Sequence, residues 1–251
     1  MRQFLAAMAA FAALGGSAGA QPWIGHEVIY EGPTPVNLAG RPVVADIALH
    51  ADINAAAKKI LRVALVTDVT SFVKQTERDL ADWVATRQAR CGERWKAGEP
   101  LIDFPQGAIR FALDLEIELW TCGVDGKAEP SRFARETGRV DVTLIPYVEE
   151  GKLQARLGAF SIANRTGMSK YLPIEFVVRT ALDQELLRLN KNPKFFRAPK
   201  PFLDLGYKYE SMKGEKKPDG RVIITARYRG AGEAGAYRTL AAKMREAGIS
   251  Q

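Results

Sequence analysis

Residues 109–120 alternate without a break. Ile109, Phe111, Leu113, Leu115, Ile117 and Leu119 are apolar, and Arg110, Ala112, Asp114, Glu116 and Glu118 stand between them. A period of two is the side-chain period of a strand, so this stretch predicts a long strand with one buried face and one wet face. At about 3.3 Å per residue it reaches roughly 40 Å, longer than most globular strands. A ribbon of that length needs a cover for its apolar side. Residues 43–53 repeat the pattern with Val43, Ala45, Ile47, Leu49, Ala51 and Ile53 on one side. Shorter strands are expected at 60–69, 140–148 and 153–162, the last two joined by a turn at Glu149-Glu150-Gly151-Lys152. Residues 203–212 and 221–228 predict another hairpin, around a polar tip at 213–220. Antiparallel connections dominate, and nothing reads as a βαβ series.

Three segments switch to helical spacing. Over 72–90, Phe72, Thr76, Leu80, Trp83, Val84 and Arg87 fall on one stripe, with Ser71 placed to cap it. Over 174–189, Phe176, Val177, Ala181, Leu182, Leu186 and Leu189 make a wide apolar face. Glu175–Arg179 and Arg179–Asp183 are spaced for ion pairing on the other side. Residues 237–247 form a short C-terminal helix with Tyr237, Leu240, Ala241 and Met244 inward. The expected fold class is α+β: a long, curved antiparallel sheet packed on two long amphipathic helices plus that short helix. No composition break demands a boundary, so residues 21–251 are expected to form a single domain.

The first twenty residues predict the compartment. A basic start at Arg2, an apolar run over 4–14 and the small-x-small pattern Ala18-Gly19-Ala20 read as a secretory signal peptide cleaved near Ala20. No later stretch has eighteen uninterrupted apolar residues, so no spanning helix is expected in the mature chain. The expected location is the periplasm. In an oxidising compartment the two cysteines, Cys91 and Cys122, are expected to pair. They lie too far apart in sequence for a C-x-x-C redox motif. Their positions, past the first helix and past the longest strand, predict a staple from helix to sheet.

The net charge of +7 is concentrated in one region. Between 188 and 221 there are ten Lys and Arg against four Asp and Glu. Outside the cytoplasm nucleic acid is not an expected partner, which leaves anionic headgroups or acidic polymers. The segment 192–202 interleaves Lys194, Phe195, Phe196, Arg197, Lys200 and Phe202 with three prolines. Rings beside cations suit a membrane interface, so Lys194, Phe195, Phe196, Arg197 and Lys200 are candidate membrane or anion contacts. The same phenylalanines also read as anchors of a long loop to the core.

Catalytic signatures are missing from the sequence. It has two histidines, His26 and His50, and no H-E-x-x-H, Cys/His cluster or EF-hand loop, so neither a metal nor a cofactor is expected. No G-x-S-x-G, S-x-x-K or P-loop is present. Asp114, Glu116 and Glu118 share a strand face and read as a solvated surface rather than an acid–base pair. The expectation is a protein that is not an enzyme.

One layout resembles a known family. A long helix runs into Arg90-Cys91-Gly92-Glu93-Arg94-Trp95, a long strand ends in Leu119-Trp120-Thr121-Cys122, and strands meander through 140–162. This resembles the tubular lipid-binding superfamily over residues 43–189, with no diagnostic motif. The resemblance implies a long curved sheet rolled around a helix, one helix-to-strand disulfide and a hydrophobic groove that binds lipid. The groove lining it implies here is Phe111, Leu113, Leu115, Ile117, Phe176 and Leu182. The chain departs from the pattern in being short for such a module, and its third helix and basic hairpin have no counterpart. The resulting expectation is a non-catalytic periplasmic binding protein for a lipid or other apolar small molecule, with contact to an anionic membrane surface. The alternative is an envelope structural or adaptor protein with a dry core and protein partners.

Overall fold

A computed structural model of the chain describes residues 26–38, 41–122, 129–171, 173–192 and 198–249. The signal peptide expected at 1–20 therefore lies outside the described residues. The fold is α+β, with about half of the chain in strands. The single curved sheet expected from the alternation is instead two antiparallel sheets. The first holds β1 (His26–Leu38), β2 (Arg41–Asp52), β3 (Ile60–Asp68), β9 (Lys208–Lys216) and β10 (Val222–Ala231), in the order β1-β2-β3-β10-β9. The second holds β4 (Gly92–Ala97), β6 (Ile109–Thr121), β7 (Ser131–Glu149) and β8 (Lys152–Ala163) in that order, with β5 (Leu101–Asp103) paired to β6. The division follows from pairing. β3 takes β10 as its partner across most of the chain, whereas β6 pairs with β7 from Ile109↔Leu144 to Thr121↔Ser131. The apolar period of a strand says that one face is covered; it does not say which strand lies beside it.

The two sheets meet at one seam. The tip of the β7–β8 hairpin rests on β9, where the Tyr209 N–H donates to the Gly151 carbonyl at 3.1 Å. Gly151 has φ +75°, and a Cβ there would come within 2.7 Å of the Lys208 Cβ. Both the turn and the close approach require glycine. A continuous core runs through this junction, from Ile47, Leu49 and Val63 of the first sheet to Phe111, Leu113 and Val142 of the second.

Five α-helices lie among the described residues: α1 (Ile53–Ala56), α2 (Thr70–Ala85), α3 (Ile174–Lys191), α4 (Lys200–Asp204) and α5 (Gly235–Ile249). Helix α2 begins at the first sheet and ends at the second. Its start is tied to β10 by Val69 N–H to the Val222 carbonyl (2.9 Å) and by Val222 N–H to Thr70 Oγ1 (2.8 Å). Ser71 lies inside the helix, and it is the Asp68 carboxylate that accepts from the Thr70 N–H at 2.9 Å. Phe72, Val73, Thr76, Leu80 and Val84 are its buried face, which matches the period of its apolar residues. The helix stops at Ala85, five residues short of the expected Arg90, because the chain turns there to enter β4.

Helix α3 lies along β8 and is clamped near both ends. Glu175 accepts from the Ile162 N–H at 3.1 Å, so it serves the strand instead of pairing along the helix with Arg179. Asn190 makes two bonds to the Ala155 backbone, accepting at 2.9 Å and donating at 2.8 Å. Leu182, Leu186 and Leu189 face the core, whereas Phe176 and Val177 point to solvent. The buried stripe is narrower than the wide face read from the sequence.

Residues 203–212, expected as a strand, divide differently: α4 ends at Asp204 and β9 starts at Lys208. Phe202 on α4 is fully buried and packs on Tyr228 (centroids 4.3 Å apart) and Tyr207 (5.8 Å). Tyr237, Leu240, Ala241 and Met244 of α5 are buried as their spacing predicts. The Tyr237 hydroxyl donates to the Asp52 carbonyl at 2.9 Å and accepts from the Arg62 N–H at 3.1 Å, pinning α5 to the β2–β3 connection.

Cys91 and Cys122 form a disulfide with Cα atoms 5.7 Å apart. It joins two neighbouring strands and not helix to sheet, because Gly92 of β4 pairs with Trp120 of β6 and the cysteines flank that pair. Closing a loop of sequence separation 31 restricts the unfolded chain by about 3–4 kcal/mol in the loop-entropy model.

Candidate functional site

The second sheet presents two chemically opposite faces. On the face away from the helices the expected solvated carboxylates form a cross-strand lattice of ion pairs. Glu116 pairs with Lys96 (2.9 Å) and with Arg135, Asp114 pairs with Arg139 (2.9 Å), and Arg110 Nε lies 2.9 Å from Asp141. Glu118 is only 5% exposed, held by Arg132 at 3.0 Å and by the Trp120 indole N–H at 3.1 Å. The Arg94 guanidinium covers the Trp120 ring at 3.9 Å. Each acid here has a cation across the strand.

The lattice sets a pH dependence. Hydrogen bonds from Lys96 and Arg135 hold the Glu116 carboxyl below its ordinary value, and those from Arg132 and Trp120 do the same for Glu118. A carboxyl whose folded value is depressed stabilises the fold above its unfolded value and loses that contribution as pH falls through the folded one. Stability is therefore expected to decline once pH drops below about 4.5, the ordinary value of these groups. Denaturant unfolding at pH 7 and pH 3 checks this. The double variant Glu116→Gln, Glu118→Gln should show a shallower acid decline than the parent; an unchanged decline would refute the assignment.

On the helix face the side chains are apolar and do not fill the space. A cavity of about 460 Å³ lies between this face, the end of α2 and the first half of α3. Its floor is Leu115 and Ile117 of β6, Val140 and Val142 of β7, and Phe160 and Ile162 of β8; Trp83 of α2, Trp95 of β4 and Val178 and Leu182 of α3 close over it. Leu115 on β6 faces Gly138 on β7, where Ile162 of β8 packs so closely that a Cβ on the glycine would sit 3.2 Å from its side chain. Trp83 and Trp95, edge to face at 5.8 Å, close one end. Arg87, Glu93, Glu136 and Arg165 supply the charged groups of the lining. The volume and the mostly apolar walls with few polar groups are those of a small-molecule pocket.

The six residues expected to line a groove divide three ways. Leu115, Ile117 and Leu182 face the cavity. Phe111 and Leu113 lie further along the same face of β6 but are buried in the core. Phe176 is 72% exposed on the outer side of α3 and lines nothing. A helix turns 100° per residue, so Phe176 and Val178 lie far apart around α3 and only Val178 reaches the cavity. Trp83 was legible as part of the helix stripe; Trp95, Gly138 and Phe160 carried no signal of their own. Of the candidate membrane contacts, Lys194, Phe195, Phe196 and Arg197 lie outside the described residues. Lys200 opens α4 and is ion-paired with Asp204 at 2.6 Å. Among the described residues, no helix is long and apolar enough to cross a membrane, and no three His, Cys, Asp or Glu converge on a metal position.

No family model matches the chain, and no curated protein matches it. Among solved structures, the crystal structure of a lipopolysaccharide binding protein is similar over 66% of this chain and 31% of its own, at 12% identity and a TM-score of 0.34. The chain thus spans less than a third of that protein's length. A likeness of this degree leaves function to be read from the chain's own residues.

Proposed function

We propose that this chain is a non-catalytic binding protein that holds a lipid or another apolar small molecule between its second sheet and the helices α2 and α3. The observation that carries the reading is the unfilled 460 Å³ space behind Leu115 and Gly138, walled by Trp83, Trp95, Val140, Phe160 and Val178. An apolar recess of that size, open on one side, leaves its walls against water unless something occupies it, and covering apolar wall is favourable. The proposal places the protein in the periplasm after removal of residues 1–20. It includes contact of the segment around Lys194, Phe195, Phe196, Arg197 and Lys200 with anionic headgroups.

Purification under mild conditions followed by native mass spectrometry and solvent extraction tests the reading. A bound apolar molecule released into the organic phase is expected, and the emptied protein should take up a fluorescent fatty acid. An empty protein that takes up no such probe would overturn the proposal in favour of an adaptor with a dry core.

A further inference from the structure

The charged groups around the cavity are not equivalent. Glu93 is engaged by the Trp95 indole N–H, which donates to its carboxylate at 2.9 Å. The Glu136 carboxylate lies against Gly167, so close that a Cβ on that glycine would fall 2.3 Å from an oxygen. Arg165 is also engaged, and Arg87 differs from all three. Its guanidinium carbon sits 5.1 Å from the centroid of the Trp83 ring, a wall of the cavity, and it makes no ion pair among the described residues.

The backbone of Arg87 is fixed from two sides. Its N–H donates to the Val84 carbonyl at 2.9 Å, and its carbonyl accepts from the Trp95 N–H at 2.9 Å. The residue is thus tied to the end of α2 and to β4, the two elements that carry Trp83 and Trp95. A cation–π contact with a tryptophan positions a guanidinium while leaving N–H groups able to donate. An exposed, positioned arginine beside an apolar cavity is a receptor for negatively charged oxygen atoms.

We infer that the cavity takes a single-chain anionic amphiphile, its tail between the sheet and α3 and its charged oxygen headgroup on the Arg87 guanidinium. The inference rests on the cavity's being a ligand site and adds the polarity of the ligand and the residue that reads it. Burying only the tail leaves the headgroup where Arg87 meets solvent, so the ion pair forms without a full desolvation cost.

The test compares laurate with 1-dodecanol, which share a twelve-carbon chain and differ in charge, by displacement of Nile red from the purified full chain. Wild-type protein is expected to bind laurate about two- to fivefold tighter than the alcohol, the range for an exposed ion pair. Arg87→Gln should abolish that preference, bringing laurate affinity down to that of the alcohol, and Arg87→Lys should keep most of it. Equal binding of the two by wild type, or a preference that survives Arg87→Gln, overturns the inference while the apolar cavity stands. If Nile red, laurate and dodecanol all fail to bind wild type, the ligand reading itself falls and takes the inference with it.

Discussion

Alanine in place of Phe202 is expected to lower stability by about 3–5 kcal/mol, the range for emptying a buried phenylalanine site. Phe202 has no exposed surface, and its ring touches Tyr228 at 4.3 Å and Tyr207 at 5.8 Å. Those contacts join α4 to β10 and to the residue that precedes β9, and α4 also packs on α5. The Tyr207 and Tyr228 rings are themselves held by burial, which pushes both hydroxyls above their ordinary titration range. They have little freedom to collapse into the vacated space, so the loss should sit near the upper end. For a chain of this size that corresponds to a fall in Tm of about 6–20 °C. Leu203, the next residue on the same helix, is 38% exposed and serves as the control; its alanine variant should shift stability by no more than about 0.5 kcal/mol. Thermal and urea unfolding of the two variants beside the parent decide the matter. Equal small losses would show that α4 does not organise this part of the core.

The same residue shows how far the sequence could be read. In 192–202 the phenylalanines, prolines and cations supported two readings, a membrane-facing segment and a loop anchored to the core, and composition alone does not separate them. For Phe202 the anchor reading holds. Phe195 and Phe196 lie outside the described residues. Strand β1 escaped notice because Pro33 and Pro35 cannot donate to a ladder, yet both are accommodated on the outermost strand of the first sheet. Strand β4 escaped because Glu93-Arg94-Trp95-Lys96 has no apolar period; it pairs through its backbone to β6, with Arg94 and Lys96 on the ionic face and Glu93 beside the cavity.

Periodicity served well where one element buries one face against a neighbour. The long strand of 109–120 became β6 within a residue, and the stripe of α2 and the inward set of α5 follow their spacing. What periodicity cannot supply is phase between elements. The expected face of α3 included both Phe176 and Leu182, and only the clamps at Glu175 and Asn190 determine which of them turns inward. Cys91 and Cys122 were legible as a pair from their count and the expected compartment. That they tie strand to strand depends on β4, which the sequence did not announce. The cavity was the least legible feature, because it consists of what is missing. Its walls come from four strands and two helices, and the pairing registers that set those residues side by side are a property of the folded chain.

Substituting tryptophan for Val178 is expected to close the cavity without unfolding the protein. Val178 is half-buried on α3 and lines the space opposite the sheet, so a larger ring there enters existing room instead of a packed core. Overpacking costs of about 1–3 kcal/mol arise when neighbours must shift, and here the neighbours leave a gap. The fold should therefore survive with a stability close to that of the parent. Ligand uptake should not. Each methylene kept out of an apolar site forfeits about 0.8 kcal/mol, so excluding three of them weakens binding by roughly 50-fold. Phe176→Ala supplies the contrast, since Phe176 is 72% exposed and outside the lining, and its loss should leave affinity unchanged. Titration of both variants with a fluorescent fatty acid, alongside their melting curves, separates the cases. If Val178→Trp is well folded and still binds as tightly as the parent, the ligand lies elsewhere. If Phe176→Ala alone loses binding, the outer face of α3 is the site and the space beneath it is incidental.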